Sequence, residues 1–240
     1  MAIHIPNLRK MFVPPPGRAY FDLDLDSADL RIVTWESDCQ GMKDLFAAGE
    51  KPYVVCAREY YHDPSISKKH PSYPAFKAFA HASNYLGKPA TISAGCGLLV
   101  SEVERMQRWY FGKFPEIKIW QDNFTRKFLS TGLVRNAFGY QCKFHDRLEG
   151  NIINEAIAWI PQSTVGLIIN HGWANIDENL PEVWVHLQVH DSLVGSYPTE
   201  REGELIPAIL KETEIVVPYP DPLIVPVGLK TSSKSWGDCE

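Results

Sequence analysis

Two aspartates stand where the local pattern calls for apolar residues. Asp24 lies in Leu23-Asp24-Leu25 and Asp191 in Val189-His190-Asp191, each within a stretch whose residue types read as β-strand. A carboxylate in an apolar strand is costly unless it is paired or bound to a cation. Two carboxylates from distant strands suit Mg²⁺, which takes oxygen ligands and keeps some of its water. Two such ions about 3.5–4 Å apart can activate an attacking oxygen and steady a leaving one. The plainer alternative is that both aspartates are turn or edge residues, and local sequence does not decide between the two. Period-two alternation also puts Asp22 and Asp26 on the face of Asp24, so either could share a cation.

A second group has helical spacing. His81 and Tyr85 follow Lys77 by four and eight positions in KAFAHASNY. At about 100° per residue the three share one helix face. Lys77 could equally be a solvated charge, and His81 and Tyr85 ordinary core residues.

The elements that must carry these groups are readable in outline. Residues 19–34 start with Phe21, Leu23 and Leu25 alternating with aspartates, a strand, and continue through Ser27, a candidate cap, into a helix. Helices are expected over 38–61, 75–86, 101–111, 116–130, 151–170 with a kink at Pro161, and 200–211. A hairpin is expected over 134–144 around Phe138-Gly139-Tyr140, and another over 183–195 with its turn at His190-Asp191-Ser192. One more strand is expected at 223–227. Helices inserted between strands that fold back together indicate an α+β fold with an insertion over roughly 36–150.

The chain has 240 residues, 45% of them hydrophobic, enough for one large domain or two small ones. Its apolar runs break before membrane-spanning length and no basic-then-apolar leader opens it, so a cytoplasmic protein is expected. Five cysteines, none at C-x-x-C spacing, argue for reduced thiols rather than a disulfide framework or zinc site. The net charge of -5 argues mildly against nucleic acid. Its distribution points the other way. Lys68, Lys69, Lys77 and Lys88 form one basic group, Arg126, Lys127, Arg135, Lys143 and Arg147 another. Acidic residues concentrate in the first forty residues and beyond Asp177.

Taken in order, these segments resemble family A (polymerase I-like) DNA polymerases, from about Ile5 to Trp236. Asp24-Leu25-Asp26-Ser27-Ala28-Asp29-Leu30-Arg31 is similar to that family's motif A, residues 77–85 to motif B, and Gln188-Val189-His190-Asp191 to motif C. Phe114-Pro115, Phe138-Gly139 and Trp159-Ile160-Pro161-Gln162-Ser163-Thr164 match the filler between motifs. The resemblance implies a right-hand polymerase palm, an antiparallel sheet with flanking helices, carrying an inserted helical fingers subdomain. Residues 1–35 and 151–240 would be palm, 36–150 fingers. Asp24 and Asp191 would bind two Mg²⁺ ions, with the Leu25 carbonyl completing a coordination shell. Lys77 would meet the triphosphate of a dNTP, and His81 and Tyr85 its base and sugar. Asp29 would be the gate against a 2′-hydroxyl. Gln162 and His190 would touch primer-template DNA in the minor groove, where contacts check pair shape. Gln162 could instead satisfy backbone groups freed by Pro161.

Several positions depart from the family. Tyr73 stands where an arginine is usual, and Tyr53, which the resemblance places among the substrate-binding residues, where a histidine is usual, which weakens the expected triphosphate contacts; Lys68, Lys69 or His70 would have to compensate. His81 replaces an aromatic residue and Ser192 a glutamate. Asp29 is one methylene shorter than the usual glutamate, so looser rejection of ribose is expected. Only 23 residues precede Asp24, too few for a thumb. The expectation is therefore a split, phage-type enzyme whose separate partner carries the thumb, with or without a 3′–5′ exonuclease. The alternative is a catalytically degraded DNA-binding or assembly subunit. A related single-subunit RNA polymerase is disfavoured by Asp29, since those enzymes place a small residue at the gate.

Overall fold

The computed structural model describes residues 7–145 and 148–239. Arg147, counted in the second basic group, and Ile5, where the resemblance starts, lie outside the described residues. The chain divides into two compact units, one of residues 1–28 with 163–240 and one of residues 29–162.

The first unit is built on β1 (Arg18–Leu25). Its Phe21, Leu23 and Leu25 are buried, while Asp22 and Asp24 project from the other face. Asp24 is thus exposed on the polar side of a half-buried strand. The expectation of a carboxylate among apolar strand residues is corrected: period two, not burial, governs its placement. β1 lies between β5 (Ser192–Pro198) and β8 (Val227–Ser232), and β4 (Trp184–Val189) pairs on the far side of β5, giving an antiparallel sheet of order β4-β5-β1-β8. Gly195 is paired with Phe21. A Cβ there would stand 2.4 Å from the Phe21 ring and 2.6 Å from the Trp184 carbonyl, so only glycine fits. The Arg18 guanidinium ties the sheet end together. Its Nε donates to Ser196 Oγ at 2.9 Å, and its Nη2 to the Glu182 and Ser196 carbonyls at 2.8 and 2.6 Å. It also lies over the Trp184 ring. α9 (Glu202–Glu212) contacts β5.

The tail strand expected at 223–227 is instead two strands. β7 (Leu223–Ile224) pairs with β6 (Val216–Val217), and β8 begins after Pro226 and runs to Ser232 beside β1. Proline interrupts the ladder because it has no N–H to donate.

The second unit is mainly helical: α1 (Ala28–Glu36, begun at the unit border), α2 (Gln40–Ala47), α3 (Pro52–Tyr61), α4 (Ser72–Asn84), α5 (Pro89–Cys96), α6 (Val100–Lys113) and α7 (Pro115–Thr131). A hairpin of β2 (Leu133–Arg135) and β3 (Gln141–Lys143) follows, around the expected Phe-Gly turn. The single helix expected over 38–61 is two helices, because Gly49 takes φ +73° after α2 and Pro52 opens α3 at its first turn. α5 has no counterpart in the sequence reading; its low-polarity run PATISAGC carries no clear amphipathic period. Phe76, Phe79, Tyr110 and Phe114 form the buried aromatic centre, with edge-to-face pairs 5.4–6.1 Å apart.

α8 (Asn151–Asn179) runs across the border between the units and extends nine residues past the expected end. Pro161 lies inside it. It is the one described helix long and apolar enough, by length and composition, to cross a membrane. Its Ile157, Ile160, Ile168, Ile169 and Ile176 are buried in the protein, as in a core helix.

Candidate active site

In the first unit, the end of β1 and the β4–β5 turn bring Asp24 and Asp191 together. Asp24 pairs with Ser192 across β5 and with Gly228 across β8. Both neighbours are small, which leaves the carboxylate open. The turn is His190-Asp191, shorter by one residue than expected, because Ser192 already belongs to β5. Leu25 N–H donates to the Asp191 carbonyl at 3.1 Å and fixes the turn against the strand end. His190 adopts φ +55°, a conformation that costs a non-glycine residue about 1 kcal/mol or more and tends to persist where the surroundings dictate it. His190 is exposed.

The Asp24 carboxyl is pushed above its ordinary pKa, first by desolvation, then by the negative charges of Asp191, Asp22 and Asp26; Lys230 opposes the shift. Negative potential thus exceeds its local compensation, which is the condition a cation relieves. Asp22 is already engaged. Its Oδ2 accepts from Trp236 Nε1 at 2.8 Å and lies 4.0 Å from Arg9 Nη1. Asp26 lies beyond the strand end, in a turn. Among the described residues no group of three or more His, Cys, Asp or Glu side chains is gathered for a metal. The donor set is two carboxylates plus backbone oxygen, with the Leu25 side chain buried so that only its main chain is available. Oxygen donors of this kind fit a hard, partly hydrated cation such as Mg²⁺ and do not resemble a zinc site.

The second unit gathers Asp29, His81, Tyr85 and Tyr53. Tyr85 Oη donates to Asp29 Oδ2, and His81 Nδ1 lies 3.2 Å from the same oxygen. The His81 and Tyr85 rings meet edge to face at 5.1 Å. Burial, then the Asp29 charge, holds the Tyr85 phenol well above its ordinary pKa, so Tyr85 is a donor at neutral pH. His81 is about half exposed while Tyr85 is 9% exposed. Tyr85 is not within the helix, as its spacing suggested, but caps the C-terminal end of α4. Lys77 is exposed on α4.

Tyr53 is buried, and its oxygen accepts from Asn84 Nδ2 at 3.4 Å; Asn84 Oδ1 in turn accepts from Tyr110 Oη at 3.0 Å. Tyr53 is therefore tied into the interior, with its phenol raised by burial and next by Asp29. Tyr73 is 9% exposed and serves the core. His70 Nδ1 accepts from Ser72 N–H at 3.2 Å at the start of α4, and its Nε2 lies 3.8 Å from Asp63. Gln162 is exposed on α8. Sequence reasoning passed over Asn84, fully buried and central to this network. A polar residue inside an apolar helix face was its only signal.

Three comparisons bear on this arrangement. The sequence model of DNA polymerase family A matches residues 3–238. The thermostable DNA polymerase I of Thermus filiformis is 24% identical over 237 residues, covering 93% of this chain, and that of Thermus aquaticus is 24% identical over 233 residues, also covering 93%. The chain spans 28% of the length of each of these relatives. Among solved structures, the POL domain of Pol1 from M. smegmatis, in complex with DNA primer-template and dNTP, superposes with a TM-score of 0.85 at 19% identity. That match covers 96% of this chain and 42% of the other, and at that identity it speaks for the fold alone.

Proposed function

The chain belongs to DNA polymerase family A, and from that premise we propose that it carries the site of template-directed DNA synthesis, transferring a nucleotide from dNTP to a primer 3′-hydroxyl with release of pyrophosphate. The observation that carries this reading is the juxtaposition of Asp24 and Asp191 at one end of the sheet, with Asp191 raising the Asp24 pKa. We assign residues 1–35 and 151–240 to the palm and 36–150 to the fingers.

In this reading the Asp24 and Asp191 carboxylates and the Leu25 carbonyl hold two Mg²⁺ ions. When bound, the ions supply positive charge at the reacting phosphate and lower the pKa of the attacking hydroxyl. Lys77, exposed on α4, meets the triphosphate and offsets the charge that grows on the leaving pyrophosphate. Asp29, held by Tyr85 and His81, stands against the sugar and excludes a 2′-hydroxyl. His190 and Gln162, both exposed, contact primer-template DNA. Tyr53 supports this group from the interior rather than touching the nucleotide. A cytoplasmic setting and a separate thumb-bearing partner, possessing an exonuclease or not, complete the proposal.

Primer extension with Mg²⁺ and four dNTPs, wild type beside Asp191→Ala, tests it. Extension by the wild type and its loss in the variant is the expected result. DNA binding retained without extension in either protein, with the partner supplied, would replace it by a second reading, a DNA-binding subunit that has lost catalysis. The burial of Tyr53 and Tyr73, where the family places basic residues, is the observation that favours this second reading.

A further inference from the structure

The C-terminal end of α4 is buried, and its main-chain groups are satisfied in an unusual way. The chain reverses there through Leu86, at φ +60°, and Gly87 N–H donates back to the Ala82 carbonyl at 2.9 Å. This is the 6→1 bond of a Schellman motif. A Cβ on Gly87 would stand 2.6 Å from that same carbonyl, so glycine is required. The carbonyls of Ser83, Asn84 and Tyr85 then have no donor within the helix. Side-chain amides from two other helices supply them, and one from a third holds the chain just beyond. Gln121 Nε2, from α7, donates to Ser83 O at 2.8 Å and to Asn84 O at 2.9 Å. Asn154 Nδ2, from α8, donates to Tyr85 O at 2.7 Å. Gln107 Nε2, from α6, donates to Gly87 O at 2.9 Å.

Gln121 is 1% exposed and Asn84 is fully buried. A buried amide that uses both of its hydrogens on two consecutive carbonyls leaves those carbonyls little freedom. Tyr85 is the next residue, and its hydroxyl holds Asp29. The position of the Tyr85 ring, and through it the Asp29 carboxylate, is therefore set by amides that touch neither residue's side chain.

Resting on the polymerase reading, we infer that Gln121 and Asn154 are positioning residues for sugar selection: they fix the main chain at Ser83, Asn84 and Tyr85 so that Tyr85 holds Asp29 where a ribose 2′-hydroxyl would fall. The shorter Asp29 makes this placement matter more, since its reach toward the sugar has less slack than a glutamate's. Removing one amide donor leaves a buried carbonyl unpaired and lets the end of α4 shift.

The test compares wild type, Gln121→Met and Asn154→Asp, two near-isosteric changes that delete the donor. Each chain, on a primer-template presenting thymine, is titrated with dATP and separately with ATP in Ca²⁺, so that binding is read without turnover. Leu205→Ala, a buried change on α9 in the first unit, controls for lost stability. The expected result is a fall of about five- to tenfold in the preference for dATP over ATP in both variants, in line with the loss of about a hundredfold that a 1 Å misplacement can bring. Primer-template affinity and the preference of Leu205→Ala should stay within about twofold of wild type, as expected for changes that leave the gate in place. A preference unchanged in both variants, with only the melting temperature lowered, would assign the amides to stability and overturn the inference. A wild type that does not prefer dATP overturns it too. Failure of the polymerase reading shows separately, as Mg²⁺-dependent extension that is absent or survives Asp191→Ala.

Discussion

Gly195→Ala probes the sheet that sets Asp24 beside the His190-Asp191 turn. The added methyl would stand 2.4 Å from Phe21 Cε1 and Cζ and 2.6 Å from the Trp184 carbonyl oxygen, where ordinary contact begins at 3.4 Å. Relief requires movement of about 1 Å in an interior packed at crystal-like density. Phe21 is fully buried and paired with Gly195, so the ring has no free direction. Overpacking of this sort costs about 1–3 kcal/mol, and the backbone carbonyl among the clashing atoms places it near the upper end. Phe21→Leu alone should cost about 1–2 kcal/mol through lost contacts. Leucine removes the two clashing ring atoms but not the Trp184 carbonyl, so rescue in the double variant is partial. The two changes together should be less destabilising than their sum by at least about 1 kcal/mol. Urea unfolding followed by tryptophan fluorescence, with equal m-values across the four proteins, measures it. Additivity within about 0.5 kcal/mol would refute the claim that ring and glycine share one space.

Asp24→Asn should lower primer extension by about a hundredfold or more, whereas Asp22→Asn, whose native carboxylate is held by Trp236, should lower it less than about tenfold; equal losses in single-turnover assays would show that Asp22 shares the site. Because the folded-state pKa of Asp24 is raised, the folded protein binds this proton more tightly than the unfolded chain. Its contribution to stability is therefore present below the unfolded carboxylate pKa and is lost as pH rises through the raised one. Without Mg²⁺, Asp24→Asn should flatten that part of the stability–pH curve, and Mg²⁺ should raise the melting temperature of the wild type more than that of the variant. Leu86 holds a left-handed conformation that costs a side-chain-bearing residue about 1 kcal/mol. Leu86→Gly should accordingly be at least as stable as Leu86→Ala in thermal unfolding, although both lose the same packing.

The alternation in residues 19–26, the apolar flanks of His190-Asp191 and the glycine-marked hairpin at Phe138-Gly139 were legible because strand period and turn chemistry are local properties. So were the helices whose apolar residues recur with a helical period. Helix ends were legible only where glycine or proline marks them. The stop at Gly49 and restart at Pro52 went unread inside a longer apolar pattern, and α5 has no period to read.

The sequence alone determined which residue types could do chemistry and, through the order of three motifs, which family's chemistry to expect. Tertiary structure decided the rest. Asp24 came to lie between Ser192 and Gly228 because strand pairing chooses neighbours that the strand's own pattern does not name. The Asp22 carboxylate was engaged by Trp236, more than two hundred residues away in the chain. Tyr53 went to the interior because Asn84 and Tyr110 complete its surroundings. The amides of Gln121 and Asn154 became caps for a helix that neither belongs to. A hydrogen bond forms between groups that folding brings within 3 Å, and a one-dimensional pattern carries no record of which distant groups those are.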